Sequence, residues 1–186
     1  MSKGTVSSKN MIEKSDSLLV VIDVQKILMP VITDNRKVID NVGKLLKFAQ
    51  IIDLPVILTE QERLGDTVPE VKQEIPECSP IEKITFDAFL CDEFLEQVYN
   101  SKRNTLILTG VETHICVSQT ALHALPGFKV HVVSDAVSSR TVDNRTIGME
   151  RMRQSGAVIT STEMVIYELL QRAGTDEFRQ ALKLVK

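Results

Sequence analysis

A chain of 186 residues with 43% hydrophobic and 25% charged side chains has enough apolar material for the core of one soluble domain. Its net charge of -3, its lack of Trp and its aromatic content of 4% argue against a nucleic-acid surface, which needs clustered basic charge and stacking rings. The longest apolar run, residues 18–22, is far below the ~20 residues of a bilayer span, so no membrane association is expected.

In chain order, the first ten residues are polar and lack the apolar centre of a secretion signal. A flexible N-terminal tail is expected over residues 1–16, followed by a single domain over 17–186. Residues 17–23 form a near-continuous β-branched and apolar run, the signature of a strand buried on both faces. Helical spacing follows at Val38, Ile39, Val42, Leu45, Leu46 and Ala49, with Asp34-Asn35 as the cap. Residues 54–59 read as the second strand, and a long polar loop with Gly65, Pro69, Pro76 and Pro80 leads to a short third strand at 81–84. A helix is expected at 92–101, a fourth strand at 105–108, and a helix through Cys116 that stops near Pro126-Gly127. A fifth strand at 129–134, a helix at 141–155, a sixth strand at 157–160 and two short C-terminal helices complete the chain. Alternating strands and helices imply a parallel sheet covered on both faces, with ligands bound beyond the carboxyl ends of its strands.

Three cysteines, Cys78, Cys91 and Cys116, make an odd set without paired metal-ligand spacing. Reduced thiols in the cytoplasm fit this pattern better than disulfides. Cys116 lies where an apolar strand passes through Gly110 into a helix. There the free N–H groups and the dipole favour a reactive thiolate and could also hold an oxyanion. Read alone, Cys116 is equally explained as a small buried hydrophobe. Asp23 ends the first strand and needs either a partner or a task, because an unpaired buried carboxylate is expensive. Lys83, read alone in its charged segment, is a solvated side chain.

Together these positions resemble the isochorismatase-like cysteine hydrolases, in particular the branch of isochorismatase-domain proteins. The resemblance rests on Val20-Val21-Ile22-Asp23-Val24-Gln25, on Glu82-Lys83-Ile84-Thr85-Phe86-Asp87-Ala88-Phe89, and on Gly110-Val111-Glu112-Thr113-His114-Ile115-Cys116-Val117. The stretch from Ser134 to Arg140 and the stretch from Met152 to Ala157 support it. It implies a three-layer α/β/α sandwich around a six-stranded parallel sheet in the order 3-2-1-4-5-6. It also implies a triad of Asp23, Lys83 and Cys116, a cis peptide between Val111 and Glu112, and an oxyanion hole from the N–H groups of Glu112 and Cys116. Lys83 and the helix position are expected to lower the Cys116 pKa, with Asp23 opposing them. Gln25, Gln61, Phe86, Phe89 and His114 are candidates for the substrate pocket, with core packing an equal reading of Phe86 and Phe89 and a solvated turn an equal reading of His114, while His123 and His131 are expected to be structural.

Related nicotinamidases carry a metal site after the second strand, but residues 59–65 of this chain contain no histidine. No metal and no cofactor are therefore expected. The resulting reading is a metal-independent cysteine hydrolase of a small amide or related acyl compound, acting on a small-molecule substrate and forming a homo-oligomer. A binding or scaffold protein on the same fold and a redox-responsive thiol protein remain the alternatives.

Overall fold

The computed structural model describes residues 10–185. Strands β1 (Ser17–Ile22), β2 (Val56–Gln61), β3 (Ile81–Lys83), β4 (Thr105–Val111), β5 (Lys129–Ser138) and β6 (Val158–Thr160) form one sheet. Its order is β3-β2-β1-β4-β5-β6, and every pairing is parallel. The helices are α1 (Asn35–Ile51), α2 (Pro69–Lys72), α3 (Asp92–Asn100), α4 (Ser118–Ala124), α5 (Val142–Gln154), α6 (Thr162–Leu170) and α7 (Asp176–Val185).

The apolar runs form central strands because alternate side chains bury against opposite helical layers. Leu19 and Val21 of β1 join Leu58, Ile107 and Val133 on one face, under α1, α6 and α7. Leu18, Val20 and Ile22 join Ile57, Leu106, Leu108 and Val132 on the other, under α3, α4 and α5. Helix α1 presents Val38, Val42, Leu45, Leu46 and Ala49 to the first layer, as its helical spacing requires. Removing a filled core ring such as Phe48 or Phe94, both almost wholly buried, would cost about 3–5 kcal/mol.

The expected tail ends earlier than residue 16. Ile12 is 1% exposed and packs in the first core layer, and Asp16 binds Asn104 and Thr105. The tail expectation for residues 1–9 lies outside the described residues. The loop between β2 and β3 contains α2, where Pro69 starts a single helical turn that buries Val71. Asp34 does not cap α1 through its side chain; it takes a left-handed conformation at φ 53° and leaves Asn35 to bind the carbonyl of Met29. Among the described residues no helix is long and apolar enough to cross a membrane.

The end of β4 is where the sheet becomes specific. Gly110 has φ 103°, and a Cβ there would lie 2.0 Å from the Ile22 carbonyl oxygen. Only a hydrogen fits, so β1 and β4 close together immediately before Asp23 on one side and Glu112 on the other. This is also the point at which strand order reverses, between β1 and β4.

Candidate active site

Asp23 follows β1 in a left-handed conformation, φ 53°, and is wholly buried. Its N–H donates to the carbonyl of Thr59 in the neighbouring strand β2. The Asp23 carboxylate accepts a hydrogen bond from Thr59 Oγ1 at 2.7 Å on Oδ1 and from Lys83 Nζ at 2.7 Å on Oδ2. Lys83 faces inward because β3 alternates: Ile81 and Lys83 are buried while Glu82 is exposed. The solvated reading of Lys83 is thereby corrected. Its ammonium donates to Asp23, to Gln61 Oε1 at 2.8 Å and to the Thr85 carbonyl at 3.3 Å. All three protons of the buried cation are used, which keeps it paired where bulk solvent does not reach.

Cys116 sits in a π-helical turn, Thr113–Val117, that precedes α4. The Val111-Glu112 peptide is cis. The wide turn closes through Ile115 and Val117, whose N–H groups both donate to the Glu112 carbonyl. Helix α5 packs closely on this turn, since a Cβ on Gly148 would lie 2.9 Å from His114 Cα. The Glu112 carboxylate accepts from the Arg140 N–H at 2.8 Å and from Arg140 Nε at 3.0 Å. This pairing fixes the turn to the segment after β5 and neutralises a carboxylate that is itself buried.

The expected low thiol pKa is overturned. Burial pushes the Cys116 thiol up to about 12, and the charge of Asp23 and a hydrogen bond to it act in the same direction. Lys83 and a backbone hydrogen bond from Glu112 oppose this without prevailing. The physical reason is that Lys83 is already neutralised by Asp23, so little positive potential remains to offset dehydration of a sulfur anion. The sulfur at rest is therefore a thiol.

Two pocket candidates lie in the interior. Gln25 is 1% exposed; its amide binds the backbone of Gln61 in both directions and the Gly65 carbonyl, so it builds the loop. Phe89 lies in the second core layer, edge-on to Phe94 and stacked on His123. Gln61 is half-buried and spans Lys83 and the Ile84 carbonyl. His114 is half-buried and pairs with Ser139 Oγ at 3.0 Å. Phe86 is exposed, with Ile84 and Leu90 exposed in the same segment. His123 pairs with Asp87 Oδ2 at 2.7 Å. His131 is buried on β5, and among the described residues neither ring nitrogen has a partner.

Sequence reasoning missed Thr59, for which the only signal was a hydroxyl at the end of an apolar strand. It also missed the use of Arg140, although that residue stood inside one of the matching stretches. Among the described residues no group of three or more His, Cys, Asp or Glu side chains gathers so as to hold a metal ion.

Comparison with known proteins agrees with this architecture. The profile of the isochorismatase domain matches residues 17–164. The secreted isochorismatase effector Isc1 of Phytophthora sojae is 39% identical over 177 residues, covering 91% of this chain and 84% of that protein. The MAR1 ribonuclease of Caenorhabditis elegans has 35% identity and a TM-score of 0.87 over 94% of this chain and 92% of that one. The YcaC gene product of Escherichia coli, an octameric hydrolase of unknown specificity, has 28% identity and a TM-score of 0.84 over 94% and 87% of the two chains. With most of its length matched by the domain profile and its sheet in the order 3-2-1-4-5-6, the chain belongs to the isochorismatase domain family and has that family's hydrolase fold.

Proposed function

We propose that the chain is a metal-independent cysteine hydrolase of a small amide or related acyl compound. The observation that carries this reading is the fully buried Asp23–Lys83 pair, bound at 2.7 Å, whose Asp23 charge acts on the buried Cys116 thiol. As sulfur attacks the substrate carbonyl, the S–C bond forms and the thiol proton passes to Asp23. The N–H groups of Glu112 and Cys116 take the oxyanion. Collapse of the tetrahedral adduct breaks the C–N bond, and Asp23 returns its proton to the leaving nitrogen. Water then attacks the thioester, giving one proton to Asp23, and the C–S bond breaks as the sulfur recovers that proton.

A thiol held at a high pKa suits this sequence, because the proton leaves only when a base and an electrophile are both in place. It does not suit a redox sensor, whose sensitivity depends on a resting thiolate. A cytoplasmic location belongs to the same proposal and is supported by the three free cysteines. A homo-oligomer is supported by the octameric state of the Escherichia coli relative and by the exposed apolar side chains of Ile84, Phe86 and Leu90.

The test is intact-mass trapping of an acyl adduct during turnover of an amide library, with Cys116→Ala as control. An adduct on Cys116 that decays with product release supports the hydrolase. A protein that binds library members without ever acylating would instead be the scaffold.

A further inference from the structure

Thr59 meets Asp23 twice. Its backbone carbonyl accepts the Asp23 N–H at 3.2 Å, and its hydroxyl lies 2.7 Å from Asp23 Oδ1. Both residues are 0% exposed, so bulk solvent does not reach either bond. The direction of the hydroxyl bond follows from chemistry, since an ionised carboxylate can only accept. Register places Thr59 beside Ile22, the last residue of β1. The hydroxyl thus reaches Asp23 from the strand next to its own, while Lys83 reaches the other oxygen from β3.

We infer that Thr59 is a positioning residue for the proposed reaction: its hydroxyl anchors Oδ1 while Lys83 anchors Oδ2, and together they fix the plane of the carboxylate that serves as base. The inference rests on the reading of Asp23 as base. The charged or titratable groups that face Asp23 are Lys83 from β3 and Cys116 from the turn after β4. Lys83 supplies the compensating charge, but its single bond to Oδ2 leaves rotation about the Cβ–Cγ bond open. The Thr59 hydroxyl closes that freedom and adds a second donor to the anion. Hydrogen bonds to a charged group favour the charged form, and their loss favours protonation.

The experiment measures the pH dependence of Cys116 alkylation by iodoacetamide, a probe that needs no knowledge of the substrate. Two comparisons isolate the hydroxyl: the natural residue against Thr59→Val, which keeps the shape, and Thr59→Ser against Thr59→Ala, which differ only in the oxygen. The hydroxyl-free member of each pair should have its acid limb shifted upward by about one pH unit, so that the rate on that limb falls roughly tenfold. Thr59→Ser should keep the natural limb. A purely structural role would lower thermal stability in both Thr59→Ser and Thr59→Ala and leave both limbs in place, and that result overturns the inference. If Thr59→Val does not fold, the Ser and Ala pair decides the matter. Asp23→Asn separates the two levels of argument. Alkylation unaffected by Asp23→Asn removes the base itself, whereas an effect of Asp23→Asn with none from the Thr59 pairs removes only the role of Thr59.

Discussion

The ion pairs Asp23–Lys83 and Lys26–Asp66 lie close together in sequence and have the same nitrogen–oxygen distance of 2.7 Å. They differ in surroundings. The side chains of the first are 0% exposed, those of the second 49% and 80%. In the buried pair each charge has lost its water, and the site replaces it with Thr59 on the carboxylate and with Gln61 and Thr85 on the ammonium. The exposed pair keeps its water, so its contact adds little. Equal length thus tells nothing about energetic weight; dehydration does. A third buried polar group, His131, sharpens the point. It is about as buried as Asp23, but no partner among the described residues replaces its water, and burial followed by the nearby Lys129 charge pushes its pKa down to about 4. One buried region keeps its charges by organising a donor around the carboxylate and acceptors around the ammonium, and the other stays dry by remaining neutral.

Removing the reacting groups should have the largest effect. Cys116→Ala should abolish adduct formation altogether, and Asp23→Asn should slow acylation by roughly 10²–10⁴-fold, the usual weight of a general base. Single-turnover mass spectrometry measures both, and acylation of Asp23→Asn at the natural rate would show the carboxylate to be a bystander.

Lys83→Met comes next. It leaves Asp23 buried with its charge uncompensated, which should cost about 3–5 kcal/mol. Urea titration reads this directly, and a loss below 1 kcal/mol would mean that water enters the site and the comparison with Lys26–Asp66 fails.

His131 offers a pH-dependent test. Its folded pKa of about 4 lies below the unfolded value near 6.5, so the unfolded chain takes up the proton first. The histidine's contribution is therefore fully favourable above about pH 6.5, is lost as pH falls through this window, and levels off near pH 4. For the wild type this amounts to roughly 3 kcal/mol. His131→Phe, which keeps the ring shape, should flatten that part of the stability curve. An unchanged slope would mean that His131 is hydrated or paired in solution.

The smallest effect belongs to Lys26→Ala, which should leave the urea midpoint unchanged at moderate salt, since both side chains remain solvated. A midpoint shift comparable to that of Lys83→Met would show that distance alone governs these pairs.

The amino-acid sequence by itself determined the layered parallel sheet. Strands buried on both faces must be apolar throughout, as in residues 18–22, and the helices between them must carry apolar stripes such as Val38, Val42, Leu45 and Ala49. It also marked Asp23, Lys83 and Cys116 through the words around them. Tertiary structure alone decided what those three residues are to one another. The inward turn of Lys83, the hydroxyl of Thr59 on Asp23 and the Arg140 pairing of Glu112 all join segments distant in the chain. The same is true of the thiol's protonation. Local helix position pointed to a thiolate, but the pKa responds to dehydration and to the charge of Asp23, and both exist only once β1, β4 and the turn after β4 have closed over the sulfur. The burial of Gln25 and Phe89 was hidden for the same reason: residue type and position along the chain do not reveal which side of a loop or helix the core will claim.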